Sequence, residues 1–505
     1  MLYCFIDRSA CFCYDGANER VPGKLPGGRE FIKTGGIMNS KIRVIKTDAA
    51  KGDFLKEEPS LKFKKDASVP DGIELEVVNV YDEVKYQEIL GFGAAFTDSS
   101  AVNYAKMTKE EREEVSDAYF SRKKGIALNF NRICINSSDY AADFYTCDDV
   151  DGDKELKYFN IDHDKKEIIP MIKDALKRCP EMKIFASPWS APAWMKDNGK
   201  MERGGRLKKE YLATWALFYA KFIQAYEKAG VPVWGLTIQN EAKADQWWES
   251  MLYEGAEERD FAAGYLRPVL DREGLGDTKV FCWDHNKERV VDRALETFGT
   301  NSGRAAFDGI AYHWYSGDHF EALDAVHQLY PEKVQISTEN SGGARDDEPW
   351  YVGERSAHEI FGNFKNYCSA FVAWNMILDE TGHPYHWDAE RDAARKKGTD
   401  AFVNQSKKQR TRPSTPIMLW EGKVRYELSY YYIGQFSKYV LPGARRIASS
   451  SYSQDLEQIA FLNPDGTIVL VVMNKGEQAR PVVLRCKNNI AKDRLEAHSI
   501  ATYIF

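Results

Sequence analysis

The sequence predicts an α/β fold, a (β/α)8 TIM barrel with a small β-sandwich domain formed from both chain ends. Between residues 88 and 436, short β-rich runs alternate eight times with longer amphipathic segments. Period-two alternation, typical of half-buried strands, flanks this region on both sides. With 505 residues and 43% hydrophobic residues, the chain can bury a large core and add a second, smaller domain.

The first 40 residues differ in character from the rest. They hold three of the nine cysteines and several Gly and Pro breakers, and Asp7 and Arg8 interrupt their apolar run, which argues against a signal peptide. We expect residues 1–40 to be disordered or a non-native extension, with Met38 as a plausible start. Without an export signal or paired cysteine spacing, we expect free thiols and a cytoplasmic location.

The two flanking segments are predicted to share one β-sandwich. Residues 41–87 contain the alternating run "GIELEVVNVY" and supply its N-terminal strands. Residues 443–505 contain "EQIAFLNPDGTIVLVVMN", in which a Pro-Asp-Gly turn separates two strands. The absence of a low-complexity linker in the sequence predicts that this domain packs rigidly on the barrel.

Residues 88–442 are predicted to form the barrel. The helical segment "TKEEREEVSDAYFS" begins with a threonine in capping-box position, and "YLATWALFYAKFIQAYEKAG" ends in a C-cap glycine. Eight strand–helix units favour a closed barrel over a doubly wound sheet. The predicted strands are "ILGFGAAF", "IALNFNRICIN", "MKIFASPW", "VWGLTIQN", "KVFCWDH", "FDGIAYHWY", "VQISTEN" and "AFVAWNMIL".

Composition excludes several classes of partner. The net charge is −7, and acidic and basic residues are interspersed, so no nucleic-acid-binding surface is expected. The longest apolar runs are too short to cross a bilayer, so no integral membrane segment is expected. The glycines around Gly91 lack the third glycine of a dinucleotide loop. A small neutral or polar ligand fits best, and the sequence carries no signal for an oligomeric state.

Two carboxylates fall at the ends of predicted strands 4 and 7. Glu241 follows Asn240 after "VWGLTIQ", and Glu339 follows "VQIST". Because the carboxyl ends of barrel strands meet at one mouth, these side chains should face each other there. A pair of carboxyls, one protonated and one ionised, is the equipment for cleaving a glycosidic bond. Asn240 would then bind the sugar 2-hydroxyl.

Aromatic residues are dense around the same strand ends and offer flat apolar faces to a pyranose ring. They are Trp189, Trp247, Trp248, Trp283, Trp314 and Trp374.

Two other functional hypotheses remain open at this point. Asp284, His285 and His313 also lie at strand ends and would suit a metal-dependent barrel hydrolase, although the close His-x-x-x-His grouping of such sites is missing. The second hypothesis is a non-catalytic carbohydrate-binding protein. The presence of both Glu241 and Glu339 argues against it. The preferred reading requires no metal and no cofactor.

At these residues the sequence resembles glycoside hydrolase family 30, the glucosylceramidase-like retaining β-glycosidases, and its bacterial members most. The resemblance runs from about residue 88 to the C-terminus. Its markers are "GFGAAFTDSSA" (91–101), "RICINSSDYA" (132–141), "ASPWSAPAWMKDNG" (186–199), "TIQNEA" (237–242), "AYHWY" (311–315), "STENSGG" (337–343) and "AWNMILDETGHP" (373–384).

The resemblance implies the family's barrel and two-ended β-sandwich and hydrolysis of β-glucosides, glucosylceramide-like or β-1,6-linked, by double displacement. It places the acid/base on Glu241 and the nucleophile on Glu339, and Tyr315 would donate to the nucleophile. The sequence departs from the family at Ala242, where proline is usual, as well as at Asn340 and Ala94. The implied sugar-binding set is Asp139, Trp189, Asn240, Tyr315 and Trp374, to which we add His313 and Trp247 from their positions at strand ends and in the following loop.

The loops predict the shape of the site. The loop after strand 4, with Trp247 and Trp248, and the loop from about 379 to 415 should wall the mouth into a pocket for one sugar. Exo action is therefore expected. The retaining mechanism predicts that the carboxyl groups of Glu241 and Glu339 lie about 5–5.5 Å apart.

Overall fold

The computed structural model describes residues 41–67, 74–387 and 411–505, together with positions 389, 393, 396 and 397. The expectation for residues 1–40 and the middle of the predicted 379–415 loop lie outside the described residues. No helix of the described part is long and apolar enough to span a membrane.

A closed barrel of eight parallel strands forms the centre of the fold, as the sequence predicts. Each strand pairs with the next along the chain, and strand 8 pairs with strand 1. In chain order, barrel strands 1 to 8 are Gly91–Phe96, Phe130–Ile135, Lys183–Pro188, Gly235–Thr237, Lys279–Asn286, Gly309–His313, Val334–Asn340 and Cys368–Ala373.

The helices lie between and after these strands and follow the predicted capping signals. Thr108 and Glu111 form the reciprocal hydrogen bonds of a capping box at the second helix. Gly230, at φ +83°, follows the long helix that starts at Leu212 and closes it. The helices are Asp98–Lys106, Lys109–Phe120, Ile168–Leu176, Leu212–Lys228, Gly255–Phe261, Arg267–Arg272, Val290–Phe298, Asn301–Ala306, Phe320–Leu329, Tyr351–Lys365 and Leu428–Ser437, with a π-helical turn at Ala262–Leu266.

Strands from both ends of the chain join in the β-sandwich domain, in one continuous hydrogen-bonded series of ten. The first strand, Lys41–Asp48, pairs antiparallel with the last, Ser499–Ile504. The remaining strands are Asp53–Lys62, Lys64–Lys65, Val77–Glu88, Arg445–Ser451, Leu456–Leu462, Ile468–Asn474, Arg480–Cys486 and Asn489–Leu495.

Five predicted strands end earlier than the sequence suggests, strands 2, 3 and 6 by one or two residues and strands 4 and 8 by three or more. Strand 4 stops at Thr237, because Asn240 N donates to Pro188 O and Glu241 N donates to Asp284 O, which takes the chain off its ladder. Strand 8 ends at Ala373, where Trp374 N donates to Asn340 O. After it, the separate strand Ile377–Asp379 joins a small sheet with Ile417–Trp420 and Lys423–Tyr426.

The barrel interior changes from apolar to polar along its axis. Phe130, Phe185 and Phe281 form part of a closed apolar cluster. Two residues further along the same strands, Arg132 and Ser187 point to the same face, because side chains alternate with period two. The carboxyl end of the barrel is therefore lined by polar groups, and the phenylalanine cluster fills the barrel beneath them.

Candidate active site

Arg132 lies at the centre of the polar end of the barrel. Its side chain is fully buried, and its guanidinium donates to four side chains and, at 3.5 Å, to the backbone carbonyl of Thr338. Nη1 donates to Glu339 Oε2 at 2.6 Å, and Nη2 donates to Asp284 Oδ2 at 2.8 Å and to Asn240 Oδ1 at 2.8 Å. Nε donates to Ser187 Oγ at 3.0 Å. One cation therefore contacts side chains on strands 3, 5 and 7 and in the turn after strand 4.

Glu339 receives a strong donor on each carboxylate oxygen. It stands on strand 7 with 5% of its surface exposed. Arg132 binds Oε2, and the Tyr315 hydroxyl donates to Oε1 at 2.7 Å. Charge-assisted bonds of this length favour an ionised carboxylate. Two of its lone pairs are thereby occupied by donors that also fix its orientation.

Glu241 is held by its backbone rather than by strong side-chain bonds. It adopts φ +48°, a left-handed conformation that non-glycine residues take only where the surroundings impose it. The bond from its N–H to Asp284 O, 2.8 Å, is one such constraint. Its Oε1 lies 3.5 Å from His313 Nδ1 and 3.7 Å from His285 Nδ1. The carboxyl group is thus positioned at the mouth with fewer hydrogen bonds than Glu339.

Asp284 lies deeper in the barrel and contacts Arg132 and His313. Thr237 Oγ1 and Thr338 Oγ1 each donate to it at 2.6 Å, and His313 Nε2 lies 3.1 Å from Oδ1. Burial opposes its charge, but Arg132, His313 and Thr237 hold the pKa of this carboxyl far below its usual range. Asp284 is therefore a permanent anion that orients Arg132 and His313.

The charges of this network balance when the two glutamates share one proton. Burial opposes a charge on His313, but Glu339, Asp284 and Glu241 raise its pKa to about 9. Two cations, Arg132 and His313, then face the fixed anion Asp284. One further negative charge neutralises the cluster, so one of Glu241 and Glu339 is ionised and the other protonated.

Hydrogen bonding decides which glutamate carries the charge. Burial raises the pKa of Glu339, whereas His313, His285 and Arg132 outweigh burial and lower that of Glu241. Because both carboxyls face the same cations, they titrate as a pair rather than singly. Glu339 holds the two short charge-assisted bonds, and Glu241 has only contacts of 3.5 Å or more to the histidines. We therefore assign the negative charge to Glu339.

His313 also limits the separation of the two glutamates. Its Nδ1 lies 3.5 Å from Glu241 Oε1 and 3.8 Å from Glu339 Oε1. The two oxygens cannot be farther apart than the sum of these distances, which excludes only the upper part of the separation range of inverting glycosidases, about 6.5–9.5 Å. The bound is compatible with the separation predicted for direct attack by one carboxylate.

Aromatic rings line the mouth in an inner and an outer group. Trp189 and Trp374 stack at 5.0 Å, and the Arg132 guanidinium lies 4.6 Å from the first ring. Further out, Trp248 and Trp387 lie 4.9 Å apart and Trp247 lies 6.4 Å from Trp248. Aromatic side chains of the loop after strand 4 therefore pack against Trp387 and form one wall of the mouth.

Asp139 brings a further carboxyl group to the same place. Its Oδ1 is buried without a hydrogen-bond partner among the described residues. Burial, together with the charges of Glu339, Glu241 and Glu249, raises its pKa well above the usual range. Its backbone carbonyl accepts from the indole of Trp387 at 2.7 Å. Such an unused group is available to a sugar hydroxyl.

The structure thus brings most of the predicted residues to one mouth and adds others that the sequence did not single out. Trp283 is instead buried in the core with its ring 4.6 Å from the Arg293 guanidinium, and Trp314 is buried with its ring 4.7 Å from that of Arg355.

Arg132 was not predicted, because a single arginine within an apolar run is typical of an exposed edge strand. Its signal is its position two residues after Phe130, on the inward face of strand 2. His285, which the sequence grouped with Asp284 and His313 in a metal hypothesis, lies beside Glu241, with 3.7 Å between its Nδ1 and Glu241 Oε1.

Two family descriptions match the chain. The glycosyl hydrolase family 30 TIM-barrel domain matches residues 89–399, and the family 30 beta sandwich domain matches residues 443–503. Together they cover the eight barrel strands and the C-terminal strands of the β-sandwich, while the N-terminal sandwich strands lie outside both matches.

Curated relatives and a solved structure agree with this match. Putative glucosylceramidase 3 of Caenorhabditis elegans is 30% identical over 91% of this chain and 85% of its own. The endo-1,6-beta-D-glucanase neg1 of Aspergillus fumigatus is 28% identical over 77% and 78%. The crystal structure of SrfJ from Salmonella typhimurium is 32% identical with a TM-score of 0.84, covering 92% of this chain and 99% of that one. The chain therefore belongs to glycoside hydrolase family 30 and is a retaining β-glycosidase.

Proposed function

We propose that Glu339 is the nucleophile and Glu241 the acid/base of a double displacement on β-glucosides. The observation that supports this division is the pair of short bonds from Arg132 and Tyr315 to Glu339, which hold one glutamate ionised. Charge balance then leaves the proton on Glu241, where the leaving oxygen can take it. The roles follow from the hydrogen bonds of the site.

In the first step, Glu339 forms a bond to the anomeric carbon while the bond from that carbon to the leaving oxygen breaks. Glu241 gives its proton to that oxygen, so the aglycone leaves as a neutral alcohol. In the second step, Glu241 takes a proton from water, and the resulting hydroxide displaces Glu339. Two inversions return the β configuration.

The same electrostatics explain why Glu241 can change from acid to base. Once Glu339 is esterified to the sugar, its negative charge is gone. Arg132 and His313 then face only Asp284 as a fixed anion. The uncompensated positive charge favours an ionised Glu241, which is the form that accepts a proton from water.

The cleaved sugar would be held by groups already in place. Arg132 occupies Asn240 Oδ1, so the amide of Asn240 is turned with its Nδ2 available to the 2-hydroxyl. The partnerless Asp139 Oδ1 suits a hydroxyl at the other side of the ring. Trp189 and Trp374 supply the apolar surface, and His313 and Tyr315 stay bound to carboxylates.

For the aglycone, we propose a short or apolar group and exo action. Trp247, Trp248 and Trp387 form a wall that favours a pocket over an open cleft. The two kinds of relative, a putative glucosylceramidase and an endo-1,6-glucanase, both suggest glucose as the cleaved sugar. Glucosides of lipids and β-1,6-linked glucosides are therefore the substrates to test.

A panel of chromogenic β-glycosides, followed by NMR of the first product, tests this function. We expect the highest kcat/KM on β-glucosides, with the β anomer of glucose appearing before mutarotation. Early mixed oligomers from a β-1,6-glucan would contradict exo action. Binding without any turnover would instead favour a carbohydrate-binding protein, and loss of turnover on adding a chelator would favour a metal-dependent hydrolase.

A further inference from the structure

Three potential metal ligands converge beside the scissile position. Glu241 Oε1, His285 Nδ1 and His313 Nδ1 all lie within 4.8 Å of one another, the one such group among the described residues. They come from the ends of strands 4, 5 and 6, so no short sequence motif reveals them. Both Nδ1 atoms are buried and have no hydrogen-bond partner among the described residues. A metal ion that displaces the protons of His313 and Glu241 would thus find two imidazole nitrogens and a carboxylate oxygen as ligands.

The spacing fits a tetrahedral ion. Ligands about 2.0–2.1 Å from a tetrahedral Zn²⁺ stand roughly 3.3–3.4 Å from one another. Glu241 Oε1 lies 3.5 Å from His313 Nδ1 and 3.7 Å from His285 Nδ1, and the two nitrogens lie within 4.8 Å of each other, so the side chains must move closer together to bind one ion.

The surroundings already orient both imidazoles as ligands. His313 Nε2 faces Asp284 Oδ1 at 3.1 Å, a carboxylate–histidine contact that keeps a proton on Nε2 and leaves Nδ1 to the ion once the ion displaces the Nδ1 proton. His285 lies against Trp283 with 5.0 Å between ring centres, and its side chain is 13% exposed. One ligand is therefore rigid and the other is reachable from the mouth.

We propose that Glu241, His285 and His313 form an inhibitory binding site for a Zn²⁺-like transition-metal ion in the mouth of the barrel. Imidazole nitrogen and carboxylate oxygen are the ligand types that Zn²⁺ accepts. An ion bound there occupies the Glu241 oxygen that would carry the proton and stands beside the anomeric position. Binding of Zn²⁺ and of substrate therefore exclude each other.

Direct binding of Zn²⁺ and Co²⁺ to the untagged full chain tests the site without reference to catalysis. Calorimetry should give one tight Zn²⁺ per chain, and Co²⁺ should show the intense visible absorption of a tetrahedral complex. His285→Gln and Glu241→Gln should each weaken binding by at least about tenfold, since even loss of a supporting group costs that much. His498→Gln, which removes an imidazole placed between Glu354 and Glu477, is the matched control and should leave binding unchanged. Equal Zn²⁺ affinity in all four proteins would overturn the proposal.

Inhibition kinetics with a β-glucoside complete the test. Zn²⁺ should inhibit the unmodified protein competitively, and chelation should restore the full rate. In His285→Gln the inhibition constant for Zn²⁺ should rise at least about tenfold. This ratio can be measured even if the variant turns over substrate more slowly without Zn²⁺. Inhibition that persists unchanged in His285→Gln would contradict the site. If Glu241 is not the acid/base, Zn²⁺ should still bind to the three ligands but should not inhibit turnover. The metal site and the proposed function can therefore fail separately.

Discussion

Arg132 is the residue on which the site depends most. Replacing it in Arg132→Met leaves Asp284 and Glu339 buried without their cation, which should cost about 3–5 kcal/mol of unfolding free energy. Activity should fall to background, because Glu339 and Asn240 lose their common anchor. Thermal unfolding and kcat/KM measure the two effects.

Lys287→Met is the matched control for that change. Lys287 and Glu359 form a buried ion pair with both side chains at 0% exposure, outside the sugar-binding residues. Its loss should lower stability similarly while most activity remains. If both variants lose stability and activity in parallel, Arg132 acts only as a structural residue.

Tyr315 should tune the ionisation of Glu339. Its hydroxyl favours the charged carboxylate, so Tyr315→Phe should raise the pKa of Glu339. Glu339 is then protonated, and so inactive as a nucleophile, up to a higher pH. The acidic limb of the kcat/KM profile should therefore shift to higher pH. The lost bond to a charged group should lower kcat/KM by about 10- to 100-fold. An acidic limb that stays in place would contradict the role of this bond.

Residue patterns predict part of the site, and the fold supplies the rest. Glu241 and Glu339 could be picked out because each ends a hydrophobic run, and parallel strands bring such ends together. Arg132, Asp284 and His285 could not be assigned partners, because their contacts join strands that are far apart in sequence. The charge balance of the site depends on those contacts and appears only in three dimensions.

Among the elements, strand 1 contacts strand 2 most closely at Gly93. A Cβ there would lie 1.6 Å from Phe130 O, a backbone atom that cannot move aside. Gly93→Ala should therefore destabilise the barrel by at least about 3 kcal/mol, at the upper end of overpacking effects. Gly264→Ala is the control, since nothing lies within 4 Å of its Cβ position, and it should be neutral or stabilising by up to about 1 kcal/mol. Chemical denaturation compares the pair, and equal stability would contradict this account of strand 1.

The elements also show how far periodicity predicts the barrel. Strand 7 has the predicted bounds, Val334–Asn340, because it pairs with strand 6 from Val334 to Glu339, with one register shift. Strand 4 is short because long-range bonds from Asn240 and Glu241 pull the chain away after Thr237. Local pattern predicts that a strand exists, while tertiary hydrogen bonds decide where it ends.

At the scale of the whole molecule, His358 links the barrel to the β-sandwich. It stands on helix Tyr351–Lys365, and its Nδ1 lies 2.8 Å from Glu457 Oε1 on strand Leu456–Leu462. Its Nε2 lies 3.1 Å from Asp318. Burial opposes its charge, but Glu457 and Asp318 raise its pKa above 6.5. Burial also opposes the charge of Glu457, yet His358 and Lys475 lower its pKa from 4.5 to about 2.

The pH dependence of this link follows from the two shifts. A raised histidine pKa contributes stability that is complete below 6.5 and is lost as pH rises through the raised value. A lowered carboxyl pKa contributes stability that is present above 4.5 and is lost as pH falls toward about 2. The Tm advantage over His358→Gln should therefore be largest between these limits and shrink at higher pH. An advantage that does not vary with pH would mean that His358 is not charged in the folded protein.

The division of roles between Glu241 and Glu339 is the central claim, and azide rescue with an activated aryl β-glucoside tests it most directly. Glu339→Gln should abolish turnover with any leaving group, because no glycosyl-enzyme can form. Glu241→Ala should still release the aryl group in a burst, since that group leaves without a proton, and added azide should restore turnover. The product should be the β-glucosyl azide. An α-glucosyl azide, or equal loss in both variants without rescue, would contradict the assignment.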